Sequence, residues 1–258
     1  MATKWQPFPY DADDYRYSPD ELLDAWQELH RGDCEPPPDD EDLLTAWAAF
    51  HAGDFESAVA QADEIGLAAH AIANKATGIY ANYLEDDEQR AQRLFMAAIE
   101  RAEAAIDEYP DDPNAHYFHA FNLGRYSQSI SVVKAVKQGY AAKIRASLET
   151  TLELEPDHAE AHTAMGMYHA EIIDKIGKLI GSMTYGASES DALDHLQQAV
   201  SLTPDAPIAH IEYANGLYLI RGDRAIDEVT ELYVKASEMT PRDAMERLDI
   251  EFAKSELE

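Results

Sequence analysis

Pro110-Asp-Asp-Pro-Asn-Ala-His116 returns as Pro156-Asp-His-Ala-Glu-Ala-His162 and again as Pro204-Asp-Ala-Pro-Ile-Ala-His210. Each copy follows one amphipathic segment and opens another. Proline cannot continue a helix, and an aspartate after it is suited to capping the next. The copies therefore read as punctuation between helices. Their recurrence at intervals of 46 and 48 residues predicts an all-α chain of stacked helical hairpins. Thr240-Pro-Arg-Asp243 is a fourth, weaker mark.

Outward from these marks, hairpins are expected near 41–65, 67–109, 113–154, 159–202 and 207–239, the third with a first helix running over 113–138. A capping helix follows over 242–257. Its Glu246, Asp249, Glu251, Glu256 and Glu258 suit the polar outer face that a terminal repeat needs. Residues 1–18, mixing aromatics, acids and prolines, read as an extended arm, and 19–258 as one helical-repeat domain. Ser18-Pro19-Asp20-Glu21 resembles a helix start, with Ser18 as cap and Pro19 in the first turn. A shorter echo sets Leu22, Trp26, His30 and Gly32 against Leu43, Trp47, His51 and Gly53 at an offset of 21 residues. The connection at 178–187 is too apolar for an exposed loop and is expected to fold back onto the array.

Hydrophobic residues make up 46% of the 258 residues, ample for a core, and the formal net charge is −30. Fifty acids against twenty bases would repel phosphate, which argues against nucleic-acid partners. One cysteine, Cys34, allows no internal disulfide and no thiolate metal cluster. No apolar signal core is present, and no stretch approaches the roughly 20 apolar residues of a membrane span, so a cytoplasmic protein without a membrane role is expected.

At the proline marks the chain resembles the tetratricopeptide (TPR) superfamily. Proline closes a second helix, His116, His162 and His210 stand six residues on, and the small residues Ala120, Gly166 and Ala214 come four further. The resemblance implies a right-handed superhelix of hairpins. The spacing exceeds the 34 residues usual in that superfamily, so extra length must sit in the helices or connections. A narrower stretch, about 112–240, resembles the TPR-like region of the regulator of microtubule dynamics proteins. It is carried by Ala115-His116, Gly139-Tyr140, Leu152-Glu-Leu-Glu-Pro156, Asp191-Ala-Leu193 and Ala199-Val-Ser-Leu-Thr-Pro204. That resemblance implies an adaptor or scaffold.

From Arg125 to Leu148 there are five bases (Arg125, Lys134, Lys137, Lys143, Arg145) and no acid. On the concave face, with Asn122 and Tyr126 beside them, they would form a positive groove for a protein or peptide partner. The alternative is a small anionic ligand in a pocket roofed by 178–187 and lined by Tyr185, His169 and Arg125. His158 and His162 share metal-ligand spacing, but His162 occupies the repeat's own histidine slot, so no metal is expected. Phosphate loops, nucleophile elbows and paired cysteines are missing from the sequence, so neither a cofactor nor a catalytic residue is expected. The expected function is a non-enzymatic interaction scaffold working through its concave face.

Overall fold

The computed structural model describes residues 4–258, so the first three residues of the predicted arm lie outside the described residues. Among those described the chain is helical, with no strand. A lone helix α1 (Pro19–Leu29) comes first. Two hairpins follow, α2 (Glu41–His51) with α3 (Phe55–Ile65) and α4 (His70–Tyr83) with α5 (Glu88–Glu108). Next are α6 (Pro113–Gln128), a short α7 (Val132–Lys137) and α8 (Tyr140–Leu154). Then come α9 (Ala159–Ile176), a short α10 (Lys178–Tyr185) and α11 (Glu189–Leu202). The chain ends with α12 (Pro207–Arg221), α13 (Ile226–Ser237) and α14 (Ala244–Ser255).

The three marks fold alike. The N–H groups of Asp112, His158 and Ala206 donate to the carbonyls of Tyr109, Glu155 and Thr203 at 3.1, 3.2 and 3.1 Å. Each Pro-Asp thus fills the centre of a β-turn, where proline's fixed φ belongs. The aspartate after each proline is therefore spent in the turn and does not cap. Capping falls one residue later, to Asp112, which accepts from Asn114 and Ala115, and to His158, whose Nδ1 accepts from Ala161. Ala206 supplies no side-chain cap. The recurrent histidine closes the same turn: Nε2 of His116, His162 and His210 donates to the carbonyl of its own Pro110, Pro156 or Pro204 at 2.8, 3.0 and 2.9 Å. The start of α1 follows its expectation, with Ser18 and Glu21 forming a reciprocal capping box and Pro19 opening the helix.

The extra repeat length lies inside two hairpins. The helix expected over 113–138 stops at Gln128, and a new one starts after Ser131, whose hydroxyl accepts from Lys134 N–H at 3.3 Å. The 178–187 segment is a helix rather than a loop. Gly177 (φ 88°) breaks α9 before it and Gly186 (φ 65°) ends it, both in backbone regions that favour glycine. It returns against α9 through Gly181, which sits beside Ile172, while Leu179, Ile180 and Met183 face outward.

The first helices of the hairpins do not leave an open groove. Each contacts the next in the order α2, α4, α6, α9, α12, α14, and α14 touches α2, which closes a ring. The arm seals this junction. Trp5 stacks on Tyr80 with centroids 4.0 Å apart, Phe8 lies beside Gly53 and Ala244, and Tyr17 Oη donates to the Arg242 carbonyl at 2.7 Å. Closure overturns the solvent-facing reading of α14. Glu246 and Asp249 are buried, because their face of the helix meets α2 and α12, while Glu256 and Glu258 stay exposed.

Candidate functional site

Inside the ring is a cavity of about 250 Å³. Tyr117, Phe118 and Phe121 of α6, Ile79 of α4, and Met167 and Tyr168 of α9 give it aromatic and aliphatic walls. These positions are inward because α4, α6 and α9 are the first helices of consecutive hairpins. At the rim stand Val132 and Val136 of α7, both partly exposed, with Lys175.

Three ionic groups interrupt the apolar wall. Lys75, 3% exposed, lies 2.5 Å from Asp33 and 2.9 Å from Glu160. Burial alone would lower this ammonium and raise the Asp33 carboxyl, yet their attraction reverses both. Glu160 is raised by burial, with Lys75 opposing, and it also bonds Tyr117. Arg125 reaches Glu212 at 2.9 Å and lies over the Phe121 ring. Tyr83 Oη donates to Asp249 Oδ1 at 2.5 Å. Burial pushes the Asp249 carboxyl well above its ordinary range; the Tyr83 bond opposes this, while Glu246, Asp243 and Glu160 add to it.

The Lys75 group is one end of a longer buried chain. Asp33 Oδ1 accepts from His30 Nδ1 at 3.0 Å, His30 Nε2 faces His51 Nε2 at 3.2 Å, and His51 Nδ1 donates to Asp243 Oδ2 at 2.8 Å. The two imidazoles thus link the Asp33 and Asp243 carboxylates through one buried line of hydrogen-bonding groups. Burial, with His51 and Lys75 adding, lowers His30 to about 4 against the pull of Asp33. The 21-residue echo brought these residues together, since its tryptophans Trp26 and Trp47 also meet edge to face at 5.9 Å.

The acid-free segment disperses. Arg125 enters the cavity and is neutralised by Glu212. Arg145 bonds Glu149 at 2.7 Å and donates to the Tyr185 carbonyl at 2.8 Å. Lys134 Nζ lies 3.2 Å from Tyr126 Oη, and Lys137 and Lys143 are exposed. Asn122 is buried beside the cavity, donating to the Phe118 carbonyl. Tyr185 lines the cavity. His169 does not, its Nδ1 accepting from Ser188 N–H at 3.3 Å. The 178–187 segment therefore supplies only Tyr185 to the wall and is not a roof. His158 and His162 are both engaged, the first with Asn114 and the second with Pro156 and His195. Burial, with Glu155 and Asp33 adding, pushes the Cys34 thiol up to about 12, which keeps it from acting as a thiolate.

Lys75, Glu160, Glu212 and Asp249 were not singled out from the sequence. Lys75 carried the one available signal, a lone base within the small, mostly uncharged run Ala71-Ile-Ala-Asn-Lys-Ala-Thr-Gly78.

Glu35, half-buried against Asn114 at 2.6 Å, allows a pH test of this region. Burial, with Asp33 and Asp112 adding, raises its carboxyl from 4.5 to about 8. The folded chain then holds a proton that the unfolded chain releases, so its stabilising contribution is complete below 4.5 and is lost as pH rises through about 8. Glu35→Gln is expected to flatten the decline in Tm between mildly acidic and mildly alkaline buffer. Parallel Tm–pH curves for the two chains would contradict this.

Helical hairpins stacked in a repeat, with an inward face formed by successive first helices, define a TPR-like helical-repeat protein. Within that class the chain belongs to the regulator of microtubule dynamics protein 1-3 family, whose sequence profile matches residues 61–247. A thermophilic TPR protein of Thermus thermophilus, TTC0263, superposes with a TM-score of 0.57 at 19% identity, over 83% of this chain and 97% of that one. The Protein CTR9 homolog of Arabidopsis thaliana is 25% identical over 157 residues, which is 52% of this chain but only 13% of that protein. No helix among the described residues is long and apolar enough to cross a membrane.

Proposed function

We propose that the protein is a non-enzymatic cytoplasmic scaffold that takes an apolar side chain of a protein or peptide partner into the ring cavity across the α7 rim. The TPR-like fold is typical of interaction scaffolds. The observation that carries the reading is the cavity itself, whose lining includes the exposed Val132 and Val136 of α7. Lys134 and Lys137 flank these valines, and on a chain of net charge −30 they favour a partner whose contacting segment is apolar with acidic neighbours. A free anionic metabolite is disfavoured, because the guanidinium meant for it is held by Glu212.

Val136→Glu on the full chain tests this. The substitution is at a half-exposed position and is expected to leave the helical circular dichroism unchanged. A partner held by the native chain should be lost to Val136→Glu, and lost also at high salt. Equal retention by both chains would place the interface elsewhere.

A further inference from the structure

Asp249 lies in the cavity wall, only 2% exposed, and its Oδ2 has no hydrogen-bond partner, although Oδ1 is engaged by Tyr83. A buried, unpaired carboxyl oxygen is destabilising wherever it stands, and in the wall of a cavity whose other ionic groups are paired it marks a position for a complementary group. The surroundings specify the sign of that group. Glu160 of α9 and Glu212 of α12 also line the cavity, and Asp243 and Glu246 lie at the start of α14. Each neighbouring cation is already matched: Lys75 of α4 by Asp33 and Glu160, Arg125 of α6 by Glu212, Lys175 of α9 by Glu171, Arg242 by Glu246 and Arg247 by Glu251. Beyond the rim lysines Lys134 and Lys137, an entering anion would meet no uncommitted positive charge in the cavity. An entering cation would meet a carboxyl with one oxygen to spare.

We propose that the cavity binds the protonated amine of an alkyl chain, with Asp249 as its counter-ion and the chain lying along Ile79, Phe118, Phe121 and Met167. The amine is either that of a small molecule or that of a lysine side chain on a partner. The site lies in the same cavity as the partner reading above, but it rests on Asp249 in the wall rather than on the α7 rim. Burial and the neighbouring carboxylates raise the Asp249 carboxyl and so favour its protonated form in the empty cavity; a proton held there passes to the buffer as the ammonium enters, and a carboxylate–ammonium pair forms. Affinity therefore rises with pH until the amine itself deprotonates.

The test uses the full chain and three probes of one shape: n-hexylammonium, n-hexanol and n-hexanoate. Calorimetry is expected to show n-hexylammonium binding at least about tenfold tighter than n-hexanol, as a charge-assisted hydrogen bond provides, and n-hexanoate binding weakest. The measured heat should change with the ionisation enthalpy of the buffer, because a proton is released. Asp249→Asn, which keeps the shape and can still accept from Tyr83, should abolish both the preference and the buffer dependence. Met167→Trp should block all binding by filling the cavity while leaving Asp249 in place. A short acetylated lysine peptide separates the two sources: Asp249-dependent binding assigns the site to a partner's lysine, and its failure beside bound n-hexylammonium assigns it to a free amine. Equal affinity for n-hexanol and n-hexylammonium, or unchanged n-hexylammonium binding by Asp249→Asn, overturns the proposal. The partner reading is tested by capture with Val136→Glu and this one by the Asp249-dependent preference among the three probes, so the two hypotheses fail separately.

Discussion

Lys75→Met is expected to lower the unfolding free energy by about 3–5 kcal/mol, the range for breaking a buried ion pair by removing one partner. Methionine matches the lysine stem in length, so packing changes little and charge changes completely. Asp33 and Glu160 would then face each other with no cation between them, and Asp33 would still be bonded to His30. In a chain of this size the loss corresponds to a fall in Tm of roughly 10 °C, measurable by calorimetry. Adding Asp33→Asn to Lys75→Met should restore part of it, because the double variant buries one uncompensated carboxylate, Glu160, instead of two. The coupling in that cycle is the diagnostic quantity. If Lys75→Met melted with the native chain, the buried ionic chain would not be what holds the first helices together.

The fold class could be read from the sequence because its signals are local. A proline-aspartate turn, an alanine at a close approach and an apolar stripe each depend on neighbours within a few residues, and the three marks repeat them. The histidine of each mark is the clearest example, since its partner is the carbonyl six residues earlier. Where local chemistry was ambiguous the reading erred by one step: Pro-Asp is equally a turn centre and a cap, and the i to i+3 hydrogen bond selects the turn. The breaks at Ser129–Ser131 and Gly177 were also present in the sequence. The β-branched run after it masked the first; the second was read as the end of a helix, and the apolar character of 178–185 masked only that the segment is itself helical.

Ring closure was not legible, because it depends on pairs far apart in sequence. His51 and Asp243 are separated by 192 positions, Tyr83 and Asp249 by 166, and Arg125 and Glu212 by 87. Nothing in the periodicity of α14 separates a face turned to solvent from one turned to α2, since acids occupy both. The charge anomaly after Arg125 was real as a count, but its bases do not converge on one groove: Arg125 enters the cavity, while Lys137 and Lys143 are exposed. Successive bases of a helix point in different directions, and α7 lies between the helices that carry Arg125 and Arg145. Composition located the unusual segment; only the closure of the ring decided which of its charges face the cavity.

Trp47→Ala is the second large effect expected, at about 3–5 kcal/mol for truncating a fully buried tryptophan. Trp47 is 2% exposed and meets Trp26 at 5.9 Å, Phe50 at 5.5 Å and the His30 ring at 4.6 Å, while stacking on His51 at 5.9 Å. It therefore supports both halves of the echo and the histidine pair that links Asp33 to Asp243. Trp26 has a separate anchor, its Nε1 donating to the Glu35 carbonyl at 2.8 Å. Because the two rings share a contact, the double variant Trp26→Ala/Trp47→Ala should lose less than the sum of the single losses, with a coupling of about 0.5–3 kcal/mol by chemical denaturation. Amide exchange then locates the damage. If the echo closes the ring, Trp47→Ala should reduce protection in α14, which is far from it in sequence, together with α1 and α2. Protection retained in α14 while α1 and α2 open would mean that the arm, through Phe8 and Tyr17, closes the ring without the echo.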